Sequence, residues 1–462
     1  MTTSSHPSQR DWLLYAVAAL SFVPTLWFYY VGEEAIFPIS SLEMWQQSIW
    51  LKQTLYGTNL LHNPLLNWLT MPLAELVGWR HVLEVTRALA VTATLTTGLV
   101  MAWLCHRLWR DRAFAAFAAL VYVTLADLLL YRGWLAYVDT TFMLFTFAAI
   151  ALLWVATIER RTSLLALAAA ALTLAFLSKA LTAYVFYGTA VFVLLWRKEQ
   201  RVFLLGLPAL LLHAIAYAFP LLWFRLLPES PGQGGRMLGE IADKLVPRDL
   251  AAYAWQLTSF PLETALRLSP ALLLALYFAW KRHKEKKENS PYWETAFWIT
   301  LLNYLPYWLA PHSSIRYVLP LYPLFALILA WPLWQAGTAA IKVTQRWLSG
   351  VIAFKFIFVL VLFPYYQHSF RGENYYTTAQ DIITLTQGQP LYVTDGSASG
   401  LSVAGYIDAL IYPRQALHWP PAQWESGFVI AYTADEKLGQ VYKKYMLGGN
   451  ELYLLCRGQA CN

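Results

Sequence analysis

The sequence predicts a polytopic α-helical membrane protein with a small C-terminal α/β domain. Three observations carry this reading. Of 462 residues, 58% are hydrophobic and only 13% charged, a balance that excludes an ordinary soluble enzyme. About eleven apolar windows are long enough, or nearly so, to cross a bilayer. Those windows stop near residue 366, after which strand-like and helix-like segments alternate. The net charge of +7 is not a nucleic-acid signature, because Lys and Arg sit in short clusters between apolar runs. Aromatic residues reach 16%, as expected where many helix ends cross a membrane interface.

The windows are residues 12–31, 85–104, 113–131, 140–158, 164–177, 183–196, 203–224, 265–280, 298–309, 318–334 and 348–365. The first follows a short polar N-terminus without a convincing cleavage site and reads as an uncleaved span. The clusters at 106–112, 159–161, 197–201 and 281–287, with Lys342 and Arg346, fall on one side, which the positive-inside rule makes cytoplasmic. The N-terminus is then cytoplasmic. Loop 32–80, residues 132–139, Lys179, loop 228–263, residues 312–316 and everything after 367 face outward. The expected division is a membrane domain over 1–366, with external loops 32–80 and 228–264, and an external domain over 367–462. Loop 228–263 fits either a mobile lid or an idle linker.

Isolated charges collect on the outward side. Glu33 and Glu34 follow the first span directly, and adjacent carboxylates at a span mouth are costly without partners or work. Residues 41–55 place Leu42, Trp45, Ile49 and Leu55 at roughly helical spacing, predicting a helix lying on the membrane surface; a plain connecting loop is the simpler reading. Asp139 opens the fourth span, where helix capping competes with a functional role. Lys179 separates two short spans and Arg316 starts the tenth; either fits a cation that snorkels to headgroups. Taken together, cations and carboxylates on one face suit a polar lipid substrate, the cations for a phosphate and a carboxylate for an incoming hydroxyl.

Beyond the last span, helices are expected at 377–386, 401–411 and 436–445, and strands at 390–394, 428–432 and 451–456. Together they predict a largely parallel sheet. Cys456 and Cys461 read equally as a disulfide of an oxidising compartment or as two thiols.

Taken in order, these pieces resemble the membrane glycosyltransferases of the protein O-mannosyltransferase and lipid A aminoarabinose transferase type, the C-type fold. The matching segments are Glu33-Glu34, Asn63-Pro64-Leu65 to Asn67-Trp68, Val138-Asp139, Ser178-Lys179-Ala180 and Arg316-Tyr317-Val318-Leu319-Pro320-Leu321-Tyr322-Pro323, spread over about residues 12–334. The resemblance implies an inverting transfer from a polyprenyl-phosphate sugar to a lipid, glycan or protein acceptor at the outer face of a bacterial inner membrane. It makes Glu33 and Asp139 the catalytic carboxylates and Glu34, Asn63, Lys179 and Arg316 substrate-binding, with Lys179 and Arg316 on the lipid phosphate. Three departures stand out. Glu33 replaces the usual Asp, Asn63 replaces a lysine, and Ala180 replaces a glycine. A divalent metal is associated with parts of this fold, but His62, His312 and the carboxylates lack diagnostic ligand spacing. The competing class, a lipid transporter or flippase, calls for broken spans in two corresponding halves, and no half-repeat is visible.

Overall fold

The computed structural model describes residues 8–60, 62–227, Gly239, 249–281, 290–370 and 374–462. Among these, five helices are long and apolar enough to cross a membrane: Trp79–Trp109, Val138–Glu159, Leu207–Leu226, Ile315–Gln335 and Thr338–Phe370. A sixth candidate is the pair Leu250–Arg267 and Ala271–Lys281, bent by 92°. Other predicted windows are shorter apolar helices, among them Arg112–Val123, Thr162–Ser178 and Thr182–Leu195. The first window is not one helix. Helix Ser8–Leu20 ends as the Ser21 hydroxyl donates to the Ala18 carbonyl at 2.6 Å, and Pro24 then sits in a short 3-10 turn. Most of loop 228–263 and of the 281–287 cluster lies outside the described residues.

The chain packs as two compact units. The first comprises Met1–Val23, Val91–Trp134 and Val138–Phe356. Helix Val138–Glu159 forms a hairpin with Thr162–Ser178 and also meets Thr182–Leu195. Helix Arg112–Val123, sequence RAFAAFAALVYV, is buried from Phe114 to Val123, because its alanines let Ser8–Leu20 and Tyr322–Gln335 approach closely. Asp111 caps it, accepting the N–H groups of Ala113 and Phe114 at 2.8 and 3.1 Å. Some buried hydroxyls in the helices return to their own backbone: Thr97 donates to the Ala93 carbonyl and Thr300 to that of Ala296, both at 2.7 Å, while Thr94 reaches the Gly133 carbonyl at 2.8 Å. Glu159, at the opposite end of its helix from Asp139, pairs with Arg107 at 3.0 Å and Arg161 at 3.5 Å. Arg197 donates to the Pro291 carbonyl at 2.6 Å, and Trp109 contacts Tyr292 and Trp331. Several basic clusters expected on one side thus gather at one end of this unit.

The second unit comprises Pro24–Ala90, Leu135–Tyr137 and Ile357–Asn462. This packing differs from a partition at residue 366. Ala35 and Ile39 share one core with Leu401, Val403 and Ile407, so the segment after the first window folds with the C-terminal elements. Strands β1 (Thr54–Leu55) and β2 (Thr58–Asn59) form a small hairpin. Strands β3 (Leu391–Val393), β4 (Gly427–Ala431), β5 (Gln440–Leu447) and β6 (Asn450–Arg457) form a sheet ordered β3-β4-β6-β5. Only β3 and β4 pair in parallel, which corrects the expected parallel sheet. The predicted helix at 436–445 is also wrong, since β5 occupies that stretch. Gly448 and Gly449, with φ of +61° and +83°, make a two-residue turn that pairs Leu447 with Asn450 and folds β5 onto β6. Cys456 and Cys461 are joined as a disulfide, while Cys105 is a buried free thiol.

The surface helix expected at 41–55 is likewise corrected. The helix is Ile36–Gln46, with every residue from Phe37 to Met44 buried, and it packs on helices Leu65–Val77 and Ala398–Ile411. Ser48, with φ +55°, terminates it.

Candidate functional site

In the second unit, one tight turn gives the adjacent glutamates opposite fates. Gly32 adopts φ +61°, and a Cβ there would come within 2.9 Å of the Tyr137 hydroxyl, so both the backbone and the space favour glycine. That hydroxyl accepts the Glu33 N–H at 2.9 Å, and the Glu33 side chain is left exposed. Glu34 turns inward and is completely buried. Its carboxylate accepts the Val31 N–H at 2.7 Å, the Ala136 N–H at 2.7 Å and a two-pronged bond from Arg87, Nε at 2.9 Å and Nη2 at 2.6 Å. Arg87, equally buried, also donates to the carbonyls of Thr25, Phe28 and Tyr29.

Glu34, expected to bind substrate, thus sits in a fully buried pair with Arg87. The Glu34–Arg87 pair is a structural clasp with every strong donor and acceptor direction in use. Asn63, also expected to bind substrate, is buried as well. It is 1% exposed, and its carbonyl accepts from Gln53, whose amide also reaches Asn67 while Asn67 donates to the Ser41 hydroxyl at 3.0 Å. Asn63 therefore belongs to a buried polar corner of the fold.

Asp139, Lys179 and Arg316 belong to the first unit. Asp139 lies in the first turn of Val138–Glu159, inside the helix and not at its cap. Its carboxylate meets the Lys179 ammonium directly, with about a tenth of each side chain exposed (10% and 12%). Lys179 can reach it because helix Thr162–Ser178 stops there, Lys179 taking φ −144°. The ammonium also lies over the rings of Tyr317 at 5.2 Å and Phe142 at 5.8 Å. Arg316, in the turn Ile315–Leu321 that packs on Val138–Glu159, has its guanidinium 5.4 Å from the Tyr317 ring centroid. The structure thus joins the Asp139 carboxylate to the Lys179 ammonium and sets Arg316 against the same Tyr317 ring that the ammonium overlies.

The sequence reading missed a neighbouring cluster. Asp127, in the π-helical turn Asp127–Arg132, is 4% exposed and holds Arg267, the Arg132 Nε at 3.2 Å and the Tyr322 hydroxyl at 2.7 Å. The signal was a lone Asp inside an apolar window, a position that is rarely idle. Among the described residues, no three His, Cys, Asp or Glu side chains converge as metal ligands.

Five helices long and apolar enough to cross a membrane, among the described residues, define a multi-pass helical membrane protein. Two solved structures make the likeness specific. ArnT from Cupriavidus metallidurans bound to undecaprenyl phosphate aligns with TM-score 0.71 at 14% identity, over 98% of this chain and 99% of that one. The same protein in the apo state aligns with TM-score 0.68 at 13% identity, over 97% and 98%. No protein-family model matches the sequence, and no curated protein matches it. At this identity the likeness establishes the fold.

Proposed function

We propose that this protein transfers a sugar from a polyprenyl-phosphate-linked donor to an acceptor at the outer face of the cytoplasmic membrane, with inversion at the anomeric carbon. The observation that carries this reading is the end-to-end likeness to ArnT bound to undecaprenyl phosphate. The acceptor oxygen attacks the anomeric carbon as the bond from that carbon to the phosphate oxygen breaks. The bonding pair leaves with the phosphate. Glu33, the exposed member of its pair, takes the acceptor's proton, a role worth about 10²–10⁴ in rate. An acceptor that is itself a phosphate needs no base, and Glu33 then orients it or holds a cation. Lys179 and Arg316 face the phosphate as its negative charge grows, and Asp139 holds Lys179 in place.

The direct test is the purified chain in nanodiscs with a short-chain polyprenyl-phosphate sugar and envelope extract. Release of polyprenyl phosphate with sugar appearing on an extract component is expected, and an untouched donor would overturn the reading. Mass spectrometry of envelope glycans and lipids from a deletion strain identifies the sugar and the acceptor. Adding EDTA to the same assay tests for a divalent metal.

Orientation follows from the basic clusters. Alkaline phosphatase fused after Gly448 should be active, and fused after His283, which lies outside the described residues, inactive. The reverse pattern would invert the topology and remove the external site.

A further inference from the structure

A cavity of about 500 Å³ opens in the second unit, between the end of helix Ile36–Gln46 and residues 412–418. Its lining combines aromatic faces and carboxamides: Trp45, Tyr412, Gln46, Gln47 and Gln415, with His418 and Glu43 alongside. We propose that this cavity binds a saccharide unit without formal charge, a pyranose that stacks on Trp45 or Tyr412 and shares its hydroxyls with Gln47 and Gln415. The inference goes beyond the transferase reading and does not depend on it.

The lining chemistry selects this class. A sugar hydroxyl both donates and accepts, and a carboxamide offers two donors and an acceptor on one group. An aromatic face takes the positive C–H edge of a pyranose ring. Among the described residues, no lysine or arginine lines the cavity, so a phosphate or carboxylate would meet Glu43 and find no cation.

The site is also preorganised. The Gln46 carboxamide donates to the Arg414 carbonyl at 2.7 Å and accepts the Ala416 N–H at 3.0 Å, bolting one wall to the helix end. Glu43 is engaged by the N–H groups of Tyr56 at 2.5 Å and Gly57 at 3.2 Å, and burial raises its carboxyl above the usual range. The rings are set as well. Trp45 packs against Trp50 and Trp79, while the Tyr412 ring meets Trp79 and its hydroxyl donates to Glu75 at 3.2 Å. Gln47 and Gln415 remain: both are exposed, and neither side chain is engaged elsewhere among the described residues. The backbone walls are fixed by local structure: Ser48, at φ +55°, ends helix Ile36–Gln46 beside Gln47, and Tyr56-Gly57, at φ +54° and +76°, form the two-residue turn between β1 and β2.

The test is saturation-transfer NMR on the full chain in nanodiscs, with maltotriose and chitotriose as neutral probes and glucose 1-phosphate as the charged one. Transfer to a neutral probe is expected, equal in wild type and in Glu33→Gln, since that change leaves this cavity intact. The double variant Gln47→Ala/Gln415→Ala, altering exposed side chains only, should weaken binding about tenfold or more, as loss of two hydrogen bonds predicts. Tighter binding of glucose 1-phosphate would overturn the neutral class. No transfer to either neutral sugar, or transfer indifferent to the double variant, would overturn the site.

Discussion

Replacing Arg87 by alanine should remove most folded protein from the membrane, whereas Glu33→Gln should leave its amount unchanged and abolish transfer. The contrast follows from one turn. Arg87→Ala leaves the Glu34 carboxylate fully buried with only the N–H groups of Val31 and Ala136. It also strips donors from the carbonyls of Thr25, Phe28 and Tyr29. Breaking a buried pair from one side costs about 3–5 kcal/mol, a large share of the roughly 5–15 kcal/mol that a typical domain holds in reserve. Lysine cannot rescue it, because a single ammonium does not reproduce the two-pronged contact. Glu34→Gln keeps the side chain's shape and loses less. The Glu33 side chain is exposed, while its backbone N–H and carbonyl are engaged by Tyr137 and Ile36, so a side-chain change there has little effect on folding. Fluorescence-detected size exclusion and thermal midpoints in detergent measure the first effect, and the nanodisc assay measures the second. Wild-type stability in Arg87→Ala would refute the clasp, and residual transfer in Glu33→Gln would refute the base.

That one glutamate would matter for chemistry and its neighbour for structure was not legible in the sequence. The sequence shows two carboxylates at the mouth of a span, and burial separates them only once Gly32 and Tyr137 shape the turn. Arg87 hides inside an apolar window, where a single cation reads as tolerated background. Lys179 and Asp139 were legible because each interrupts an apolar pattern at a predictable depth, and depth follows directly from window edges. The error at β5 has a different cause. Its residues, QVYKKYML, carry no clear period of two, and the turn signal lay just outside them, in Gly448-Gly449. The helix at Ile36–Gln46 was misplaced because its buried, nearly continuous apolar face offers less periodicity than the exposed stretch after it.

Lys179→Ala should cut turnover about tenfold to a hundredfold at saturating donor, the range that loss of a buried charge-assisted hydrogen bond of about 1.5–3 kcal/mol predicts. The Lys179 ammonium is held by Asp139 and lies over the Tyr317 and Phe142 rings. A polyprenyl-phosphate sugar carries one negative charge, and departure of the sugar adds about one more. A cation facing that oxygen therefore acts more on the transition state than on the bound donor, and its removal should lower turnover without a matching change in donor affinity. Asn63 is buried and carries no charge, so the cations at this step are Lys179 and Arg316. Arg316→Ala should show a comparable loss. Asp139→Asn should also abolish transfer, because it removes the ionic partner that fixes the ammonium. Lys179→Arg keeps the charge but not the compact shape that fits between Asp139 and two rings, and should recover only part of the activity. Turnover and donor affinity measured separately on these variants decide the matter. Unchanged turnover in both Lys179→Ala and Arg316→Ala would take these cations off the donor phosphate. A pure loss of donor affinity at full turnover would place them in ground-state binding instead.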